Sequence, residues 1–201
     1  MKPLLIMPYD DNRKIVGDVA AIAAKRWAEK FGFDFLCGKV ACAWDNPWFY
    51  KIHAAMANSN RPFVVVADAD VVMRPNGELP SSSGKIQMSQ NWAGLCSGFF
   101  MAVSTSETFK LLGTWLTLGE SIHERYDHSP HDHSPHDEAT LKILTQNFKW
   151  ANDAIERIPT SLVSSPENGI IGTLAHHFVA SVMDQNECAK KMMELIEEDG
   201  K

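Results

Sequence analysis

The chain has 201 residues, of which 45% are hydrophobic and 22% charged, and a formal net charge of −6. This is the composition of a globular protein with an acidic surface and enough chain to bury a core. It excludes nucleic acid as a partner, which calls for a clustered basic face, and a membrane span, since no apolar run approaches the roughly 20 residues needed to cross a bilayer.

The N-terminal apolar run stops after "LLIM", short of a signal-peptide core. The expectation is a cytoplasmic protein forming one domain over residues 1–201. "PLLIM" reads as a buried strand ending at Pro8. The positions Ile15, Val19, Ile22, Ala23 and Trp27 then recur at helical spacing, with Asp11 or Asn12 to cap the first turn and Gly32 to stop it. "DFLCG" reads as a second strand and "KIHAAMANSN" as a short helix ending in turn residues. "RPFVVVADADVV" is a central strand covered on both faces, because three β-branched valines follow one another.

Beyond it, "PNGELPSSSG" is a turn-rich excursion, "FFMAV" a strand, and Ser104 with Glu107 the capping box of the helix "SETFKLLGTWL". A helix "DEATLKILTQNF" follows. The last helix starts at Asp184 and Glu187 and runs through Cys188, Met192, Leu195 and Ile196. Alternating strands and helices predict an α/β fold with a mostly parallel central sheet flanked by helices. The cysteines Cys37, Cys42, Cys96 and Cys188 form no CxxC pair and read as reduced core thiols.

The chemistry is expected where "FVVV" ends. Asp68 and Asp70 flank Ala69, and side-chain alternation along a strand would point both carboxylates the same way. Two ionised carboxylates about 4 Å apart repel by roughly 4 kcal/mol at an effective dielectric near 20, so such a pair must lose a charge or gain a cation. The carboxyl end of a parallel strand is also where open α/β sheets place their ligands. A hard divalent ion, Mn²⁺ or Mg²⁺, with open positions for a diphosphate fits this pair. The plainer alternative is that the two acids only cap a turn.

These residues resemble a known family. "FVVVADADVVMRP" is similar to the DxD strand of GT-A fold glycosyltransferases, which move a sugar from a nucleotide diphosphate donor. "VGDVAAIAAKRWAEKFGFDFL", "YKIHAAM", "CSGFFMAVSTSETFKLLGTWL", "HDEATLKIL" and "HHFVAS" resemble further segments of that family in the same order. The subgroup they resemble most is that of the retaining xyloglucan xylosyltransferases and galactomannan galactosyltransferases. Ser97 stands where Asn is usual, Glu138 where Gln is usual, and Ala180 where Gly is usual.

The resemblance implies a single GT-A, Rossmann-like domain and a UDP-sugar donor, with a glycan, protein or small molecule as acceptor. It implies Asp68, Asp70 and His177 as metal ligands, His176 being an adjacent competitor. The loop from Pro8 through Arg13 would hold the nucleotide: Tyr9 to stack on uracil, Asp10 or Asp11 to accept from base or ribose, Arg13 or Lys51 to face phosphate. Ala69, Ser97 and Gly98 would line the donor site, and Asp137 and Glu138 would lie by the sugar. Equally, Tyr9, Asp10 and Asp11 suit a turn and a helix cap.

The pentapeptide DHSPH occurs twice in tandem before Asp137. His131, His133 and His136 interleave with Asp127, Asp132 and Asp137, but two prolines and no helical or strand period leave nothing to fix them as ligands. The reading is a mobile loop over about residues 121–136 that leads to the active site. Two rivals stand beside the transferase: a nucleotidyltransferase, for which no glycine-rich basic loop is visible, and a non-catalytic nucleotide-sugar or metal-binding module.

Overall fold

The computed structural model describes residues 1–39, 46–91, 94–126, 137–165, 169–178 and 184–200. The DHSPH repeat, Cys42 and Ala180 lie outside the described residues.

The first strand, β1 (Leu4–Pro8), is buried along its whole length. A 3-10 turn over Asp11–Arg13 leads into α1 (Lys14–Phe31), which Gly32 closes in the left-handed conformation at φ 75°. Neither Asp11 nor Asn12 caps α1, whose N-cap position is Arg13 and carries no side-chain cap; Asp10 instead caps the 3-10 turn, its carboxylate accepting from the Asn12 amide at 3.0 Å. β2 (Asp34–Gly38) and α2 (Tyr50–Ala57) follow as expected.

The expected long strand divides at the DAD triplet into β3 (Phe63–Ala67) and β4 (Val71–Met73). Between them the chain turns, with the Val71 amide donating to the Asp68 carbonyl at 3.0 Å. Each half then joins a different sheet.

The main sheet is six-stranded, in the order β2-β1-β3-β6-β5-β7, where β5 is Ile86–Asn91, β6 Gly94–Val103 and β7 Ile155–Arg157. Only β6 runs against the other strands, so the sheet is mainly parallel, as predicted. A three-stranded sheet, β4-β9-β8, packs beside it, with β8 at Val163–Ser164 and β9 at Ala175–His177. The strands β5, β7, β8 and β9 were not legible in the sequence.

Alternation along the main strands divides the core into two layers. Leu5, Met7, Val65, Ala67, Phe99 and Met101 pack against Trp27 of α1 and Cys188, Met192 and Leu195 of α6 (Gln185–Glu198). Leu4, Ile6, Val64, Val66, Phe100 and Ala102 pack on the other face against α2, α3 (Ser106–Tyr126) and α4 (Asp137–Asn147). A short helix, α5 (Lys149–Asp153), follows α4.

Residues 121–126, expected to open the loop, are the last turns of α3. Its cap also differs from the expected one. The Thr105 hydroxyl accepts from the Thr108 amide at 3.2 Å, whereas Ser104 donates to the Ser59 carbonyl. Cys96 and Cys188 are buried thiols, but Cys37, at the open end of β2, is exposed rather than in the core. Among the described residues no helix is long and apolar enough to cross a membrane.

Candidate active site

The site is built at the sheet edge where β1 and β3 end side by side. Their parallel register, Ile6 opposite Val66, brings the loop after Pro8 and the DAD turn to the same edge. The Asp68 amide still donates to the Gly98 carbonyl at 2.8 Å, extending the β3–β6 ladder by one bond and fixing Asp68 beside Ser97 and Gly98.

β4 then carries the chain away and pairs antiparallel with β9, so that Val71 lies opposite His177 and the Phe178 amide donates to the Asp70 carbonyl at 2.8 Å. Residues more than a hundred positions apart thus meet. One potential ligand atom from each of Asp68, Asp70 and His177 lies within 4.8 Å of the others. His177 Nε2 is 3.1 Å from Asp70 Oδ1. His176, the next residue back on the strand, is buried edge-on against Phe178, with the rings 4.8 Å apart. The two carboxylates converge because the backbone turns between them. Strand alternation, the sequence argument for their convergence, does not operate there.

Gly98 makes room for this arrangement: a Cβ there would lie 2.6 Å from Cε1 of His177. On the other side of the ring, Nδ1 is 3.6 Å from the Cys96 sulfur. Burial raises the Cys96 thiol pKa, opposed by His177, and the Glu138 carboxylate also faces it. Cys96 thus belongs to the site, a role that its place in an apolar segment did not signal.

Beneath Asp68 lies Lys51 of α2, only 4% exposed. Its ammonium is 2.7 Å from Asp68 Oδ2, 2.8 Å from Asp137 Oδ2 and 3.2 Å from the Ser97 hydroxyl. The lysine expected to face phosphate instead lies under the acids, where it neutralises Asp68 and Asp137. The Ser97 hydroxyl donates to Asp137, the Ser97 amide donates to Glu138 Oε1 at 3.1 Å, and the Trp115 indole holds the Asp137 carbonyl at 2.8 Å. These contacts anchor the N-terminus of α4 beside the acids.

Like and opposite charges are crowded together at the triad. Burial pushes Asp68 up to about 6, with Asp137 and Asp70 adding to the rise and Lys51 and His177 opposing it. Burial alone would lower His177, but Asp70 holds its pKa well above the ordinary histidine value. Burial likewise opposes the charge on Lys51, and Asp137 and Asp68 outweigh it and raise its pKa. Asp68, Asp70 and His177 keep 29%, 15% and 13% of their side-chain surface open, whereas Lys51 keeps 5%, so the triad faces outward and the lysine inward. Two carboxylate oxygens and an imidazole nitrogen fit Mn²⁺, and Mg²⁺ less well.

In the loop after β1, the Tyr9 ring lies flat on Gly17, where a Cβ would come within 2.6 Å of it, and its hydroxyl donates to Asp18 at 3.0 Å. Burial and the Asp18 contact raise the Tyr9 pKa, so the phenol stays neutral. Asp10 caps the 3-10 turn, Asp11 is exposed, and Arg13 joins that turn to α1. Ala69 is buried inside the DAD turn.

The α/β fold assembled here is that of GT-A glycosyltransferases. Among solved structures, 114 chains match. One is a glycosyltransferase involved in glycosylating the major capsid of PBCV-1, with a TM-score of 0.68 at 11% identity over 96% of this chain and 100% of that one. The glycosyltransferase GlyE of Streptococcus pneumoniae gives 0.61 at 11% identity over 96% of this chain and 63% of its own. The galactosyltransferase LgtC, solved with donor and acceptor sugar analogues, gives 0.54 at 10% identity over 95% of each chain. No protein-family model and no curated protein sequence matches the chain.

Proposed function

We propose that the protein is a metal-dependent glycosyltransferase that transfers a hexose or pentose from a UDP-sugar to a glycan, protein or small-molecule acceptor with retention of anomeric configuration. The observation that carries this reading is the convergence of Asp68, Asp70 and His177 within 4.8 Å at the strand-end edge of a GT-A sheet. Residues 1–201 act as one minimal domain. The resemblance to the xyloglucan xylosyltransferase and galactomannan galactosyltransferase group supports retention.

Asp68, Asp70 and His177 would hold Mn²⁺ or Mg²⁺. A dication held there would supply positive charge against that developing on the departing diphosphate. The loop from Pro8 to Arg13 receives the nucleotide, with Tyr9 offering its outer face to the base and Arg13 its charge to phosphate. Lys51 fixes Asp68 and Asp137 in place, and Ser97 and Gly98 shape the floor of the site. Glu138, oriented by the Ser97 amide, supplies negative charge beside the anomeric carbon, while Asp137 sets the position of α4 and the donor sugar. A cytoplasmic site of action belongs to the same reading, since the free thiols Cys37, Cys96 and Cys188 suit a reducing compartment.

The test is donor hydrolysis. Incubation with a panel of UDP-sugars and Mn²⁺ should release UDP without any acceptor, and Asp70→Ala should abolish that release while the circular dichroism spectrum and melting temperature show a folded protein. Parent-level release by Asp70→Ala would rule the site out. Pyrophosphate release from a nucleoside triphosphate would mark a nucleotidyltransferase instead.

A further inference from the structure

A cleft of about 320 Å³ has Glu138, the residue that accepts from the Ser97 amide, in its lining. Its walls are Leu95 at the start of β6, Glu138, Lys142 and Gln146 on α4, and Asn152 and Arg157 from the segment that follows. The volume lies within the range of pockets that take small molecules. Glu138, Lys142 and Gln146 are spaced by four and so share one face of their helix.

Glu138 is drawn to the Ser97 amide at 3.1 Å, so Lys142, the cation one turn on, has no acid within salt-bridge distance among the described residues. Among the described residues the Arg157 guanidinium has one hydrogen-bond partner, a neutral one, the Asn152 side-chain oxygen at 3.4 Å. The lining therefore brings two exposed cations and one acid together, in a chain whose net charge is −6. The acid is the one already committed to the active-site side. Gln146 and Asn152 line the same cleft, and their amides suit sugar hydroxyls.

We infer that this cleft binds the acceptor, and that the acceptor is a sugar bearing an anionic group, a carboxylate or a phosphate, held by Lys142 and Arg157. The inference rests on the transferase reading for the word acceptor. The anion site itself rests only on the cleft. A planar guanidinium pairs with either anion through two parallel hydrogen bonds, and an ammonium adds a point charge. Glu138 lines the cleft and adjoins the triad through Ser97 and Cys96, and on this proposal a sugar anchored by its anionic end reaches past Glu138 toward the donor sugar.

The probes are 4-nitrophenyl β-D-glucuronide, glucose 6-phosphate and the neutral 4-nitrophenyl β-D-glucoside, titrated calorimetrically against the full chain with UDP and Mn²⁺ present. At least one anionic probe should bind about tenfold more tightly than the neutral one, equivalent to about 1.4 kcal/mol. The preference should weaken with added salt and disappear in the Lys142→Ala/Arg157→Ala double variant. The tighter of the two anions assigns the group as carboxylate or phosphate. Equal binding of charged and neutral probes, or a preference that survives the double substitution, overturns the inference.

UDP release by the parent protein is scored separately. Release without anion preference would sink the cleft proposal alone. Anion preference without release from any UDP-sugar would keep the anion site and sink the transferase reading.

Discussion

His177 shows what a single residue gains from its surroundings. An imidazole ligates a metal through one nitrogen only when the other carries the proton, and the partner of that second nitrogen sets the tautomer. Here Nε2 faces Asp70 and Nδ1 faces the Cys96 sulfur. Replacing Cys96 by Val should therefore weaken Mn²⁺ binding about tenfold, while Cys96→Ser keeps an acceptor and most of the affinity. Electron paramagnetic resonance of free Mn²⁺ measures both, and unchanged affinity in Cys96→Val would remove the sulfur from the site.

Protonation gives a second test at this scale. Asp68, raised to about 6 by burial, and His177, raised by Asp70 against the effect of burial, both take up more protons folded than unfolded. Without metal, their contribution to stability is thus lost as pH rises, through about 6 for Asp68 and through the elevated pKa of His177. A metal must displace those protons. The gain in melting temperature on adding Mn²⁺ should grow from pH 5.5 to pH 7.5, with proton uptake by the buffer detectable calorimetrically. A gain that shrinks over that range would contradict this pairing of charges.

At the scale of elements, the best-read pieces are those whose signal is local. α1 ends at Gly32 and α6 begins at Asp184, whose carboxylate accepts from the Asn186 and Glu187 amides as the sequence pattern required. The start of α3 shows where local reading stops. Ser104 and Glu107 match a capping box, yet Ser104 is taken by the Ser59 carbonyl in the neighbouring chain segment and Thr105 caps instead. Thr105→Ala should therefore cost about 1 kcal/mol of stability in urea unfolding, clearly more than Glu107→Gln. The reverse ranking would restore the capping box. Strands of two or three residues such as β7, β8 and β9 carry too few positions to show a period. They exist because a partner strand supplies their hydrogen bonds.

For the whole molecule, Lys51 is the point where α2, β3, β6 and α4 meet. Its ammonium compensates the buried carboxylate of Asp137 and the half-buried one of Asp68. Removing one partner of such a buried cluster typically costs about 3–5 kcal/mol, because an uncompensated charge is left behind. Lys51→Met should lose stability on that order, and adding Asp68→Asn should recover part of it. A surface-like effect below about 1 kcal/mol would show that the network is solvated. By itself the sequence determined the apolar run of β3, its acidic end, the alternation of strands and helices, and hence an α/β fold with its chemistry at a strand terminus; each follows from side-chain type and spacing within a few neighbours. Only the tertiary structure decided that the chain turns inside the DAD triplet, that His177 rather than His176 meets the acids, that Gly98 must lack a side chain, and that Lys51 lies below the site instead of facing out. Those outcomes depend on which distant segments share a sheet, and the free energy of that choice is spread over many long-range contacts that no short window of sequence contains.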